Sequence, residues 1–151
     1  DVSYSNILDL TGIEDFTALD TLNCEGNQLT SLDVSGCTAL TYLFCVNNSL
    51  TSLDVSQNSA LTYLFCNYNQ LTSLDVSSNT ALQDLSLDYN YLNCLNVKNG
   101  NNTNLTWFFA YGNPYLSCVE VDDPNWAAQN WTNVDPGVTF STNCNYPAGC
   151  F

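Results

Sequence analysis

Histidine and methionine are absent from this chain of 151 residues, and Lys98 is its only basic side chain. Without histidine, the commonest general base at neutral pH and the usual nitrogen ligand of zinc are both missing. Fifteen acidic residues against one base give a net charge of −14, which repels nucleic acid and anionic membrane alike. No apolar run approaches the roughly eighteen residues that a spanning helix requires. The chain also has no Gly-rich phosphate loop, no nucleophile elbow and no C-x-x-C pair. Carboxylates are the only groups left for catalysis. Asp33, Asp54 and Asp75 recur one per turn on an outward face, and Glu120, Asp122 and Asp123 cluster near the end. Neither set surrounds an ion as a calcium loop does, so both read as solvated surface. No enzyme activity, cofactor or metal is expected.

What is present is periodic. Apolar residues make up 45%, too many for a disordered chain. The stretch "LTSLDVSQNSALTYLFCNYNQ", residues 50 to 70, recurs on either side of itself as "LTSLDVSGCTALTYLFCVNNS" and "LTSLDVSSNTALQDLSLDYNY". Leu29, Leu50, Leu71 and Leu92 are each 21 residues apart, and Leu116 follows at 24. In register run Leu22, Leu43, Leu64, Leu85 and Phe108, then Cys24, Cys45, Cys66, Leu87 and Ala110, then Asn27, Asn48, Asn69, Asn90 and Asn113. A fixed period of this length is the signature of a solenoid, in which no turn buries its apolar face alone. The L-x-C segment alternates inward and outward residues and predicts a short strand. The asparagines are expected to turn the chain after each strand by bonding loop backbone. Cys24, Cys45 and Cys66 then form a buried thiol ladder, small enough for an inner corner too tight for leucine.

The motif L-x-C-x-x-N-x-L, repeated at 21 residues, resembles the leucine-rich repeats of internalin J-like bacterial surface proteins. The wording "LTSLDVS…TALTYLFC…NQ" and the tail "CVEVDDPNWAAQNWTNVDPGVTFSTNC" are similar to secreted repeat proteins of Flavobacterium-type bacteria. The resemblance implies an α/β-type repeat solenoid, mostly β and irregular: a right-handed coil with a parallel concave sheet and a C-terminal cap. It also implies export to the cell surface or medium. Eight cysteines fit that oxidising setting, where disulfides persist.

Three regions are expected: a diverged first turn over residues 1–28, the repeats over 29–115, and a last strand with a capping helix over 116–151. Val2 falls in the register of Cys24, so the chain begins inside a strand, and a cap or export signal is expected outside it. Asp123 followed by Pro124 reads as the start of a short helix, "PNWAAQNW". Trp126 and Trp131 are placed to seal the last coil, with "VTF" at 138–140 as a closing strand. Cys118 and Cys144 bracket this cap and are the expected disulfide. Cys94, in Cys118's place one turn earlier, competes for that partner, and Cys150 takes whichever cysteine remains. Cys37 is expected to be free.

The outward strand positions carry the functional expectation. One row reads Thr21, Tyr42, Tyr63, Asp84, Trp107; the next reads Asn23, Phe44, Phe65, Ser86, Phe109; Tyr68, Tyr89 and Tyr111 flank them. Large aromatics facing water form a patch that monomers seldom leave exposed. Tyr42, Phe44, Tyr63, Phe65, Asp84, Trp107, Phe109, Tyr68, Tyr89 and Tyr111 are therefore the expected contacts for a protein or carbohydrate partner. The alternative is self-association into a filament or surface layer, since an open strand edge templates pairing. "DTL" at residues 20–22 also matches a short O-glycan acceptor pattern at Thr21.

Overall fold

The computed structural model describes residues 1–151, wound into about six turns. Each turn contributes one strand to a front sheet: β1 (Thr21–Asn23), β2 (Tyr42–Phe44), β3 (Tyr63–Phe65), β5 (Asp84–Ser86), β7 (Trp107–Ala110) and β9 (Asn133–Val134). All neighbours pair in parallel, in the order β1-β2-β3-β5-β7-β9. A second parallel sheet lines the back, from β4 (Ser73–Asp75) through β6 (Cys94–Asn96) and β8 (Cys118–Glu120) to β10 (Thr139–Ser141). The register is set by the 21-residue period: Leu22, Leu43, Leu64, Leu85 and Phe108 stand opposite one another across five strands. They join a single core of 32 buried residues that runs the length of the solenoid. Ahead of β1, the Val2 N–H donates to Asn23 O at 2.8 Å and the Tyr4 N–H to Glu25 O at 2.8 Å. The chain's first residues thus continue the same ladder.

Two columns of asparagine hold successive coils together. In the front column, the Asn69 amide donates to Cys45 O (2.9 Å) and Cys66 O (3.1 Å), while its oxygen accepts from Leu50 N (3.0 Å). Asn48, Asn90 and Asn113 repeat the pattern one coil apart. Each amide therefore gives a buried N–H its acceptor, where an unpaired group would cost about 1–3 kcal/mol, and successive amides share the carbonyls between them, bracing one coil on the next. The back column was not anticipated. Buried Asn58 and Asn79 donate to the carbonyls of Val34 and Val55, each 24 residues earlier, at 2.9 Å. Cys37 stands one period before Asn58. Its thiol donates to Ile13 O, also 24 residues back, at 3.2 Å. It is free and fully buried, making with sulfur a weaker version of the bond asparagine makes elsewhere in the column.

The far end is closed by α1 (Pro124–Asn130), whose N-cap Asp123 accepts from Asn125 N and Trp126 N. A second member of the acidic cluster is also occupied: the Asp122 carboxylate accepts from the Gly100 N–H. Trp131 is buried, stacks on Phe108 at 4.3 Å between centroids, and donates its indole N–H to Leu105 O. Trp126 and Phe140 pack edge-on against it. Disulfides join Cys118 to Cys144 and Cys94 to Cys150, so the competition for Cys144 is resolved by place on the back sheet.

Candidate partner-binding face

Period two sends Leu43 and Cys45 into the core and leaves Tyr42 and Phe44 outside, and the same alternation holds on β1, β3 and β7. Because the strands pair in exact 21-residue register, identical residues fall side by side. Tyr42 stacks on Tyr63 with centroids 4.7 Å apart and planes 5° from parallel. Phe44 stacks on Phe65 at 5.2 Å and 14°. Cross-strand stacking therefore covers one face of each ring, and each pair keeps its edges and its two outer faces. On β7, Trp107 and Phe109 form a separate tilted pair at 5.7 Å, with Trp107 59% exposed.

Between these two aromatic groups lies β5, whose outward residues are small or charged. Its Asp84 is flanked in register by Tyr63 and Trp107, and its Ser86 by Phe65 and Phe109. Ser86 is buried beneath its neighbours and its hydroxyl bonds the Asn67 amide at 2.6 Å. Asp84 remains half-exposed, accepting only from the Thr106 hydroxyl at 3.3 Å.

The flanking tyrosines line the exit from the strands. Tyr68 and Tyr89 stack at 4.7 Å, and Tyr111 meets Tyr89 edge-on at 6.1 Å. Tyr111 is one position out of column. The turn leading to it is two residues longer, and Gly112 takes the place that Tyr68 and Tyr89 hold in their coils. That place is left-handed in every coil, with φ of 67° at Gly26, 54° at Asn47, 55° at Tyr68, 56° at Tyr89 and 76° at Gly112. Glycine suits it best, and a tyrosine there carries backbone strain of order 1 kcal/mol. Below them, burial and Asp135 raise the pKa of Asp88, while a bond from Tyr111 N at 2.8 Å partly offsets both.

The remaining sequence-derived residues lie away from this face. Cys24, Cys45 and Cys66 are free, fully buried and directly behind it. Burial, reinforced by the Cys45 thiol, pushes Cys24 up to about 12. Bonding to Cys66 and burial raise Cys45 well above the usual thiol range. These are packing groups rather than nucleophiles. Asp33, Asp54 and Asp75 each accept from the serine N–H two residues on, a local turn in every coil. Thr21 is exposed at the start of β1.

No protein-family model matches the chain, and no curated protein does. Solved structures do. The functional domain of internalin J from Listeria monocytogenes, described as including a cysteine ladder, is 38% identical with a TM-score of 0.63, over 79% of this chain and 28% of that one. A leucine-rich-repeat protein of Leptospira interrogans is 22% identical with a TM-score of 0.55, over 85% of this chain and 33% of that one. Internalin F of Listeria monocytogenes is 24% identical with a TM-score of 0.55, over 85% and 43%. The chain spans less than half the length of each. By its repeat, its strand order and its column of thiols, the chain is an internalin-like leucine-rich-repeat protein.

Proposed function

We propose that this chain is a non-catalytic extracellular adhesion module that grips a protein partner across its six-stranded front face. The observation that carries this is the outward aromatic surface of β2, β3 and β7, which fills no interior space and is built on the rigid register of the coil. Aromatic anchors of this kind commonly dominate protein interfaces. A protein fits this mixed surface better than a run of sugar rings, because one face of each stacked Tyr and Phe is already covered by its partner ring and Asp84 interrupts the row. Two disulfides support an oxidising location, and no helix is long and apolar enough to cross a membrane. The acidic surface leaves nucleic acid and anionic lipid as poor partners.

The test is retention of beads coated with the protein on cell monolayers, before and after the cell surface is stripped by protease or by glycosidases. Loss of retention after protease alone is the expected result. Loss after glycosidases with cell-surface protein intact would transfer the site to a glycan. Sedimentation of the free protein at low concentration reads the remaining alternative, since persistent polymers would mark a structural subunit.

A further inference from the structure

The front face is not uniformly aromatic, and its interruption has a definite shape. Tyr63 and Phe65 are the last rings of their stacks, so one face of each is turned toward β5 rather than onto another ring. Trp107 and Phe109 rise on the far side of β5. Two strand spacings of roughly 4.8 Å put the two walls about 9.5 Å apart. The floor between them is Asp84 and Ser86. The sole base of the chain is elsewhere: the Lys98 ammonium donates to Thr142 O at 3.1 Å. The carboxylate at the base of this notch therefore has no cation of its own.

The geometry points to a recognition slot for one arginine side chain of the partner, with the guanidinium lying between the aromatic walls and bonded to the Asp84 carboxylate. A cation midway between walls 9.5 Å apart lies within the ~6 Å at which ring quadrupoles attract it. Guanidinium is planar, stacks on aromatic faces and matches a carboxylate through paired N–H donors, which an ammonium does not. An apolar side chain in the same slot would cover the carboxylate with only the Thr106 hydroxyl, at 3.3 Å, to bond it. The chain's charge of −14 complements a basic partner segment. This inference rests on the front face being a binding surface, and it names the chemistry that the face selects.

The direct test is fluorescence anisotropy of a labelled peptide with one central arginine in a Gly-Ser frame, in about 150 mM salt to screen diffuse attraction. The whole chain is compared with the variants Asp84→Asn and Trp107→Ala, each checked for folding by circular dichroism. A control variant carries Asp33→Asn, Asp54→Asn and Asp75→Asn, removing more charge from the back. Saturable binding is expected, weakened tenfold or more by Asp84→Asn and by Trp107→Ala, unchanged in the control, and lost when citrulline replaces arginine. The slot is overturned if the citrulline peptide binds equally, if the control loses as much as Asp84→Asn, or if Asp84→Asn binds within twofold of the parent. Should the slot fail while Tyr63→Ser with Phe65→Ser still abolishes adhesion, the face stands and only its arginine preference falls.

Discussion

The side-chain amide of Asn69 closes Leu50 N, Cys45 O and Cys66 O, all buried and on two different coils. Alanine there orphans Leu50 N and leaves Cys45 O and Cys66 O with only the Asn48 and Asn90 amides, and we expect Asn69→Ala to lose on the order of 2 kcal/mol in a urea titration. Aspartate should be worse, because it buries a carboxylate against the oxygens of Cys45 and Cys66. Cys45 presents the opposite case. Its role is volume, so Cys45→Ala should lose only about 1 kcal/mol, whereas Cys45→Asp buries a charge and should not fold. The thiols also set an alkaline limit. Their pKa values are raised in the folded state, so the unfolded chain ionises first; this contribution is complete below pH 9 and is lost as pH rises toward 12. Alkylation at pH 8 should accordingly leave Cys24, Cys37, Cys45 and Cys66 unmodified in the native protein and label all four in denaturant. Rapid native labelling of Cys24, Cys45 or Cys66 would remove the packing account. At Asp88 the raised pKa means that ionisation weakens the fold. Asp88→Asn, which keeps an acceptor for Tyr111 N, should raise the melting temperature at pH 7 and make no difference well below pH 4.

Elements show where sequence reading stops. The segment Thr-Ser-Leu-Asp-Val occurs at residues 30–34, 51–55 and 72–76, yet only the last contributes a back strand, β4. The local chain is the same in each; the difference is a partner, since β4 pairs with β6 while the earlier copies have no such neighbour. Periodicity marked Leu53 and Val55 as inward correctly but carried no information on pairing. The cap was half legible. Asp123-Pro124 announced α1, but the closing strand begins one residue late, at Thr139, and β9 was not foreseen, because two residues carry no pattern. The disulfides were legible as a set of four cysteines and one pair. The bond from Cys94 to Cys150 needed the fold, which brings the two together across 56 residues. Closing the 26-residue loop between Cys118 and Cys144 should stabilise the cap by about 2–4 kcal/mol. Replacing both by alanine should therefore produce an early transition in a thermal scan, read by fluorescence of Trp126 and Trp131, while the repeats melt later.

At the scale of the whole molecule, one number decides most of the architecture. A period held at 21 residues places like residues side by side, and this creates the core columns, the amide columns and the aromatic stacks together. The outward position of the aromatics was legible from alternation. Their orientation was not, since alternation fixes the side of the sheet and says nothing of whether a ring shows its face or its edge. The notch at β5 was likewise visible in the sequence as Asp84 and Ser86 but had no meaning until the flanking rings were seen to end their stacks there. The central claim is that this face, and not the back, binds a protein. It is tested most directly by probing an array of extracellular proteins with three forms of the chain: the parent, Tyr63→Ser with Phe65→Ser, and Asp54→Asn with Asp75→Asn. All three should remain folded, the aromatic variant losing about 0.2–1 kcal/mol per cross-strand pair. The account predicts a partner that the parent and the back variant bind alike and that the aromatic variant binds at least tenfold more weakly. An array in which the aromatic variant keeps every partner of the parent, or in which the back variant loses them, would contradict it.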